Sequence, residues 1–277
     1  MNWRVGGREL DCSARTLVMG IVNVTPDSFS DGGRFLDPEA AVRHGLELVE
    51  DGADILDVGG ESTRPGSDPV SVAEEIDRVV PVIKRLAAEL PGVPISIDTR
   101  KAEVATAALD AGAAIVNDVS AGSDPRMFEM VRGSGAGFVL MHMRGEPKTM
   151  QQTPHYDDVV AEVKAYLRGR VDSALAAGIA REALCIDPGL GFGKTEQHSL
   201  LLMKEIRELV DLGLPVLVGP SRKSFIGHVL GTDVTERVEG TAGAVAYMVS
   251  RGAHIVRVHD VREIARVVRV VDAIMGA

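Results

Sequence analysis

Polar side chains end a series of short apolar runs in this chain, and their types suit hydrogen bonding to a small polar molecule. The residues concerned are Asn23, Asp57, Asp98, Asn117, His142, Asp187, Ser221 to Lys223, and Arg257 with His259. Carboxylates and amides accept hydrogen bonds from a donor-rich planar heterocycle, and Lys223 adds one point-charge donor. Taken singly, each Asp or Asn could instead cap the helix that follows it. Taken together, these residues predict one polar pocket.

Basic residues near the carboxyl end form a second candidate site. Ser221-Arg222-Lys223-Ser224 follows the seventh apolar run, and Arg257-Val-His259 ends the eighth. Arg, Ser and His side chains donate hydrogen bonds that suit a phosphate or a carboxylate. A solvated surface charge is the alternative for the charged members, and it competes most strongly for Arg222.

Two loops carry further candidates. After Asn23 the chain enters a segment, residues 25–35, that is rich in Asp, Ser and Gly. Loops with clustered polar groups often carry chemistry, so we predict a mobile lid here, with an ordinary polar turn as the alternative. Gly191-Phe192-Gly193-Lys194 lacks the spacing of a nucleotide-binding glycine loop. We interpret it as a flexible wall with Phe192 as an apolar contact.

The apolar runs share a local template that places the polar residues on strands. Gly52-Ala-Asp-Ile-Leu-Asp57, Gly112-Ala-Ala-Ile-Val-Asn117 and Gly252-Ala-His-Ile-Val-Arg257 each join a helix-ending glycine to an apolar strand that finishes on a polar side chain. The other runs cover 17–22, 95–97, 135–142, 184–186 and 216–218, which makes eight candidate strands. Such short, continuously apolar runs are typical of strands that are buried on both faces.

Helix signals lie between these strands. Asp37-Pro38 begins one helix that ends near Gly52, and Ser71-Val-Ala-Glu74 is a capping-box pattern that begins another, in which we expect a kink at Pro81. Further helices are predicted over 101–111, 124–132, 157–177, 196–211, 234–251 and 261–275. The alternation favours a closed (β/α)₈ TIM barrel, whose active site lies at the carboxyl ends of the strands. An open doubly wound sheet is the alternative.

The segment before the first barrel strand has a different pattern. Trp3-Arg-Val-Gly6-Gly7-Arg-Glu-Leu10 has two short runs around a Gly-Gly pair, which predicts a β-hairpin. We expect this hairpin, residues 1–16, to close the amino-terminal end of a single barrel domain that covers 17–277.

Composition excludes several classes of protein. The 277 residues are 45% apolar and 25% charged, and the net charge of −10 argues against a nucleic-acid binder. No apolar run is long enough to span a bilayer and no signal-peptide pattern is visible, so we expect a cytoplasmic protein without a membrane partner. Cys12 and Cys185 lie far apart and predict neither a zinc site nor a disulfide framework.

Seven motifs follow one another along the chain from Leu17 onward: Met19-Gly-Ile-Val-Asn-Val-Thr-Pro-Asp-Ser-Phe-Ser-Asp-Gly-Gly33, Asp57-Val-Gly-Gly-Glu-Ser-Thr-Arg-Pro-Gly66, Ser96-Ile-Asp-Thr99, Asn117-Asp-Val-Ser120, Leu140-Met-His-Met143, Asp187-Pro-Gly-Leu-Gly-Phe-Gly-Lys194 and Ser221-Arg-Lys223. With these motifs the chain resembles the bacterial dihydropteroate synthases. So many motifs in order make the match specific. Two departures are Ser199, where the family often has Asn, and Pro220, where a small or β-branched residue is usual.

The resemblance implies a transferase of folate biosynthesis that is a target of sulfonamides. Para-aminobenzoate would displace pyrophosphate from 6-hydroxymethyl-7,8-dihydropterin diphosphate, with Mg²⁺ as cofactor and through a methylene cation on the pterin. The resemblance also implies a homodimer.

The resemblance further implies a role for each motif residue. Asp98, Asn117, Asp187 and Lys223 would hold the pterin, Asn23 would bind Mg²⁺, and Arg257 with His259 would grip the diphosphate. The aminobenzoate pocket would consist of Thr63, Arg64, Pro65, Phe192 and Ser221, completed when the first two loops close. The groups expected to act in catalysis are Asp98, Lys223, Arg257 and His259.

Two other functions compete with this one. A pterin-dependent methyltransferase shares the barrel and the pterin-contacting positions, but it would not need the basic residues of 221–223, Arg257 and His259. A non-catalytic pterin-binding module would keep Asp98, Asn117 and Asp187 but could lose the loop acids and the basic residues. This chain keeps them all.

Overall fold

The computed structural model describes residues 1–25, 37–63 and 66–277. Its strands are β1 (Asn2–Val5), β2 (Arg8–Asp11), β3 (Leu17–Asn23), β4 (Ile55–Gly59), β5 (Ile95–Asp98), β6 (Ile115–Asp118), β7 (Gly137–Met141), β8 (Leu184–Asp187), β9 (Leu217–Val218) and β10 (Ile255–Val258). Within the described residues, the last eight pair in parallel in the order β8-β7-β6-β5-β4-β3-β10-β9. A parallel bridge between Ile186 and Val216 joins the two edge strands. The predicted (β/α)₈ barrel is therefore confirmed.

The helices surround this barrel. They are α1 (Pro38–Glu50), α2 (Val72–Glu89), α3 (Ala102–Asp110), α4 (Pro125–Ser134), α5 (Val159–Ala176), α6 (Glu196–Lys204), α7 (Arg207–Val210), α8 (Ser224–Leu230), α9 (Val238–Ser250) and α10 (Val261–Met275). Asp37 caps α1 and Ser71 caps α2, as their patterns predict. None of the helices within the described ranges combines the length and apolar character needed to cross a membrane.

Two helical regions differ from the sequence expectation. The single helix expected over 196–211 is interrupted after Lys204, because Glu205 and Ile206 accept tighter i to i+3 bonds from Glu208 and Leu209. No Gly or Pro marks this break. The short helix α8 was not expected either, since its seven residues give too little periodicity to detect.

The amino-terminal hairpin closes one end of the barrel, as predicted. Gly6 and Gly7 have φ of 52° and 80°, which only glycine adopts readily and which a tight hairpin turn requires. Trp3 and Val5 of β1 are fully buried, and Trp3 Nε1 donates to the backbone oxygen of Ala183 at 2.9 Å, at the start of β8. This contact ties the hairpin to the bottom of the barrel.

Alternation along the strands separates two cores. Side chains such as Leu56, Val116 and Val256 face the helices and join the large outer core. Their neighbours Ile55, Ile115 and Ile255 face inward and join a smaller core with Trp3 and Val5. The amino-terminal half of the barrel interior is thus filled with apolar side chains.

Candidate active site

The inward-facing positions change from apolar to polar toward the carboxyl ends of the strands. Two residues beyond Ile55, Ile115 and Ile255, on the same inward face, stand Asp57, Asn117 and Arg257. The repeated template therefore places an apolar side chain and, two residues later, a polar side chain on the same inward face of each strand. The glycines that precede these strands, Gly52, Gly112 and Gly252, have φ of 109°, 113° and 99°. Each lets the helix end before its strand enters the barrel.

Arg257 is the centre of the polar layer. Its Nε donates to Asp57 Oδ2 at 2.6 Å and its Nη2 donates to Asp98 Oδ2 at 2.7 Å. Asn117 Nδ2 donates to the same Asp57 oxygen at 3.1 Å. The sequence-predicted residues of β5, β6 and β10 therefore meet in one network, and Asp57 joins them.

Two oxygens of this network lack a donor. Among the described residues, Asp57 Oδ1 and Asp98 Oδ1 are buried and have no hydrogen-bond partner. Burial raises the pKa of Asp98 to about 7, although Arg257 opposes the change; the nearby Asp57 adds to it. A buried acceptor without a donor is costly, so these two oxygens are suited to the N–H groups of a ligand.

Asp187 and Lys223 form the opposite wall. Gly189 N donates to Asp187 Oδ1 at 2.7 Å, and burial raises the pKa of Asp187 to about 6. Burial and the neighbouring Arg257 lower the pKa of Lys223 to about 8, against the pull of Asp187 and Asp98. Lys223 Nζ lies 4.0 Å from the centroid of the Phe192 ring. This wall thus combines an acceptor, a cation and an aromatic face.

Ser221 and His259 are paired at the basic side of the mouth. Ser221 Oγ lies 3.0 Å from His259 Nδ1, and the His259 backbone N–H donates to the same hydroxyl at 3.1 Å. Arg222 does not join them, because its guanidinium binds Asp260, with Nε 3.0 Å from Oδ2. Its side chain is 42% exposed, so the interpretation as a solvated charge is the better one for Arg222.

The loop that carries Phe192 is anchored, which differs from the flexible wall we expected. The buried Lys194 Nζ lies 2.8 Å from His142 Nδ1 and donates to the backbone oxygens of Gly189 and Phe192 at 2.9 and 3.0 Å. Tyr156 Oη donates to Gly193 O at 2.9 Å. Burial and the charge of Lys194 lower the pKa of His142 to about 3, so this imidazole is neutral.

A metal ion would have few protein ligands here. Asn23 ends β3 and is half-buried, so its amide oxygen can contribute one ligand. Over the described ranges, no cluster of three or more His, Cys, Asp or Glu could hold a metal ion. Such a donor set fits Mg²⁺, which keeps several waters and usually shares its shell with substrate phosphates.

The remaining predicted residues lie in the two loops after β3 and β4. Thr63 is half-buried at the start of the second loop. Arg64, Pro65 and residues 26–35 of the predicted lid lie outside the described residues. Sequence reasoning placed Asp57 in the polar pocket, at the same template position as Asn117 and Arg257, but assigned it no contact, and it gave no role to Lys194.

Comparison with known proteins places this geometry in a family. The model of the pterin binding enzyme family matches residues 19–259. The dihydropteroate synthase of Escherichia coli strain K12 is 47% identical over 98% of this chain and 95% of its own length.

Two solved structures match this chain over its whole length, and the match also covers the whole of each of those chains. The Yersinia pestis dihydropteroate synthase in a sulfonamide drug complex has a TM-score of 0.94 at 42% identity. The Xanthomonas albilineans dihydropteroate synthase with 4-aminobenzoic acid has a TM-score of 0.93 at 47% identity.

Proposed function

From the premise that this chain belongs to the pterin-binding enzyme family, we propose how its barrel mouth carries out the dihydropteroate synthase reaction. The protein is a transferase of folate biosynthesis. It joins para-aminobenzoate to the methylene carbon of 6-hydroxymethyl-7,8-dihydropterin diphosphate and releases pyrophosphate. The observation that best supports the mechanism is the buried network of Arg257 with two carboxylates that each keep one acceptor unused.

The pterin is held by Asp98, Asn117, Asp187 and Lys223. Because Asp57 accepts the Asn117 amide N–H, the amide oxygen of Asn117 is left for the ligand. Asp98 Oδ1 and the second oxygen of Asp187 accept the remaining ring N–H groups, while Lys223 donates to the ring carbonyl. The unpaired acceptors thus match a ring that is rich in donors.

The diphosphate binds at the basic side of the mouth. Arg257 uses Nε and Nη2 on the carboxylates, and its planar fork has further N–H donors for phosphate oxygens. His259 Nδ1 lies 3.0 Å from Ser221 Oγ, and we assign the His259 imidazole to the diphosphate. Both groups stabilise the charge that gathers on the departing diphosphate.

Asn23 would hold Mg²⁺ through its amide oxygen. A bound ion would supply positive charge to offset that of the leaving group. A single amide ligand at the end of β3 fits this shared mode, in which the substrate supplies much of the coordination.

The methylene cation is stabilised by the carboxylates and attacked by the aromatic amine. Asp98 favours positive charge on the pterin electrostatically, so no protein nucleophile is required. Thr63, Phe192 and Ser221, with Arg64 and Pro65 from the sequence, form the aminobenzoate pocket. Closure of the loops after β3 and β4 excludes water, which would otherwise compete for the cation.

The decisive experiment mixes purified protein with the pterin diphosphate, Mg²⁺ and para-aminobenzoate, and measures dihydropteroate and pyrophosphate. We expect both products in equal amounts. Lys223→Ala and Asp187→Ala should weaken pterin binding, and Asn23→Ala should raise the Mg²⁺ concentration required. Binding of methyltetrahydrofolate without pyrophosphate release would favour the methyltransferase, and wild-type turnover in all three variants would overturn the site assignment.

The protein is also proposed to be a cytoplasmic homodimer with residues 17–277 as one domain. The apolar side chains on α8 to α10 that support a dimer are exposed: Val229, Leu230, Tyr247, Val270, Ile274 and Met275. Cys12 and Cys185 are both free thiols, as in most cytoplasmic proteins. Light scattering of the purified protein would measure the oligomeric state, and a monomer at micromolar concentration would contradict the dimer.

A further inference from the structure

The loop between β4 and α2 is closed at its base by side chains. It carries Thr63, which we assign to the aminobenzoate pocket, and its described stem consists of residues 60–63 and 66–71. Both backbone polar groups of Val70, near the end of this loop, are bound by side chains from elsewhere. Val70 N donates to Glu61 Oε2 at 2.8 Å, and Val70 O accepts from Lys101 Nζ at 2.6 Å.

A buried ionic cluster supports this closure. Lys101 Nζ also donates to Glu61 Oε2 at 2.7 Å and to Glu75 Oε2 at 2.6 Å. Arg100 Nε lies 3.4 Å from the other Glu61 oxygen. The side chains of Glu61 and Glu75 are only 7% and 1% exposed, so the two carboxylates need the two cations beside them. Burial opposes ionisation of Glu61, yet the contacts from Lys101 and Val70 leave its pKa below the usual value.

The cluster connects the loop to the strand that holds the pterin carboxylate. Arg100 and Lys101 follow β5 directly, only two and three residues beyond Asp98. Glu61 thus links the loop after β4 to residues that directly follow the pterin-binding strand β5, and replacing Glu61 should alter the position of this loop. The position of the aminobenzoate loop is therefore fixed relative to the strand that binds the pterin.

A cavity of about 310 Å³ separates the outer side of the stem from the loop after β7 and is lined by residues such as Ser67, Pro69 and Thr149. Polar links cross between the two loops: Gly66 N donates to Pro147 O at 3.2 Å, and Arg100 binds Glu146. The contacts at the base are the more buried ones, because Glu61 and Glu75 are 7% and 1% exposed, whereas Glu146 and Asp68 on this side are 68% and 80% exposed.

We propose that Glu61, held by Lys101 and Arg100, is a positioning residue that sets the affinity of the enzyme for para-aminobenzoate by fixing the loop that carries Thr63. The inference rests on the proposed function of that loop. Glu61 does not act on the reacting atoms, so the pterin contacts of Asp98 and Asp187 are left intact by its replacement.

The test is a comparison of Michaelis constants. Glu61→Gln keeps an acceptor for Val70 N–H but loses the charge that binds Lys101 and Arg100. We expect its KM for para-aminobenzoate to rise about tenfold, the equivalent of one charge-assisted hydrogen bond, while kcat and the KM for the pterin diphosphate stay within about threefold. Lys101→Met should behave in the same way, and Lys101→Arg, which keeps the charge, should restore much of the affinity.

The matched control removes an exposed contact between the loop after β7 and the same loop. Lys148→Gln removes the exposed ion pair with Asp68, whose side chains are 64% and 80% exposed, and it should leave both Michaelis constants unchanged. An unchanged KM for para-aminobenzoate in Glu61→Gln would overturn the proposal. So would a parallel loss in kcat, both Michaelis constants and the melting temperature, since that pattern indicates a general structural role.

A binding measurement separates this inference from the proposed function. Calorimetric titration of 4-aminobenzoate, with the pterin and pyrophosphate present, needs no turnover. If the wild type binds 4-aminobenzoate but forms no dihydropteroate, the proposed function fails, and weaker binding by Glu61→Gln still decides the role of Glu61. Equal binding by wild type and variant would count against it.

Discussion

The two ends of the barrel interior are built on the same strands from opposite kinds of side chain. At the amino-terminal end, Ile55, Ile115 and Ile255 pack against Trp3 of the hairpin in a layer that is fully buried. Two residues further along the strands, Asp57, Asn117 and Arg257 occupy the interior. The apolar layer gains free energy from burial, whereas the polar layer places charges where water cannot solvate them.

The difference shows what each layer is for. In the polar layer, Asp57 Oδ1 and Asp98 Oδ1 are buried without a partner among the described residues. Stability alone would select against such atoms, and function accounts for them because a ligand can supply the missing donors. Burial of the apolar layer and the hairpin offsets the free energy of unfolding that the unpaired polar atoms remove.

Replacement of Arg257 should give the largest effect, in the polar layer. Arg257→Met leaves Asp57 and Asp98 without the guanidinium that binds both of them. We expect kcat/KM to fall by about 100- to 1000-fold, as for the loss of one transition-state donor, and the free energy of unfolding to fall by about 3 to 5 kcal/mol. Steady-state assays and urea unfolding would measure both. Arg257→Lys, which keeps the charge, is the control. Activity of Arg257→Met within tenfold of wild type would contradict the central role of Arg257 in the network.

Replacement of Trp3 is the matching change in the apolar layer. Trp3→Ala removes a fully buried ring and its hydrogen bond to Ala183, so we expect a loss of about 3 to 5 kcal/mol in the free energy of unfolding. The kcat and both Michaelis constants of the folded enzyme should be unchanged. The comparison of the two layers would break down if kcat fell while the urea midpoint stayed the same.

Neutralisation of Asp98 should separate stability from function within the polar layer. Its pKa is raised from 3.8 to about 7, so the folded protein keeps a proton that the unfolded chain has already lost. The contribution of Asp98 to stability therefore falls as pH rises from about 4 to 7. We expect Asp98→Asn to lose most of its activity and yet to melt at a higher temperature than wild type at pH 8.

Calorimetry of wild type and Asp98→Asn between pH 5 and pH 8 would measure this effect. The advantage of the variant should shrink toward pH 5, where wild-type Asp98 is protonated. Asp187, with its pKa raised to about 6, contributes with the same sign in both proteins and cancels in the difference. A wild type that melts above the variant at pH 8 would mean that Arg257 stabilises the ionised Asp98 more than burial destabilises it.

Sequence patterns predicted the fold and most of the polar layer because both depend on local signals. A glycine before several of the strands, a short apolar run and a polar strand end are readable within six residues, as in 252–257. The partners of Arg257 lie 200 and 159 positions away, so no local pattern could show that it binds Asp57 and Asp98. Lys194 was missed for the same reason, since its contact with His142 spans 52 positions.

Replacement of Arg222 should give the smallest effect and sharpens the contrast with Arg257. Both arginines lie near the carboxyl ends of the strands, but Arg222 is bound to Asp260 at the exposed rim. Exposed ion pairs contribute about 0 to 1 kcal/mol to stability. Arg222→Gln should therefore change the free energy of unfolding by less than about 1 kcal/mol, and kcat/KM by less than about fivefold. The assays used for Arg257 would measure both. A loss comparable to that of Arg257→Met would mean that Arg222 leaves Asp260 to bind the diphosphate, and the anion site would then extend to the rim.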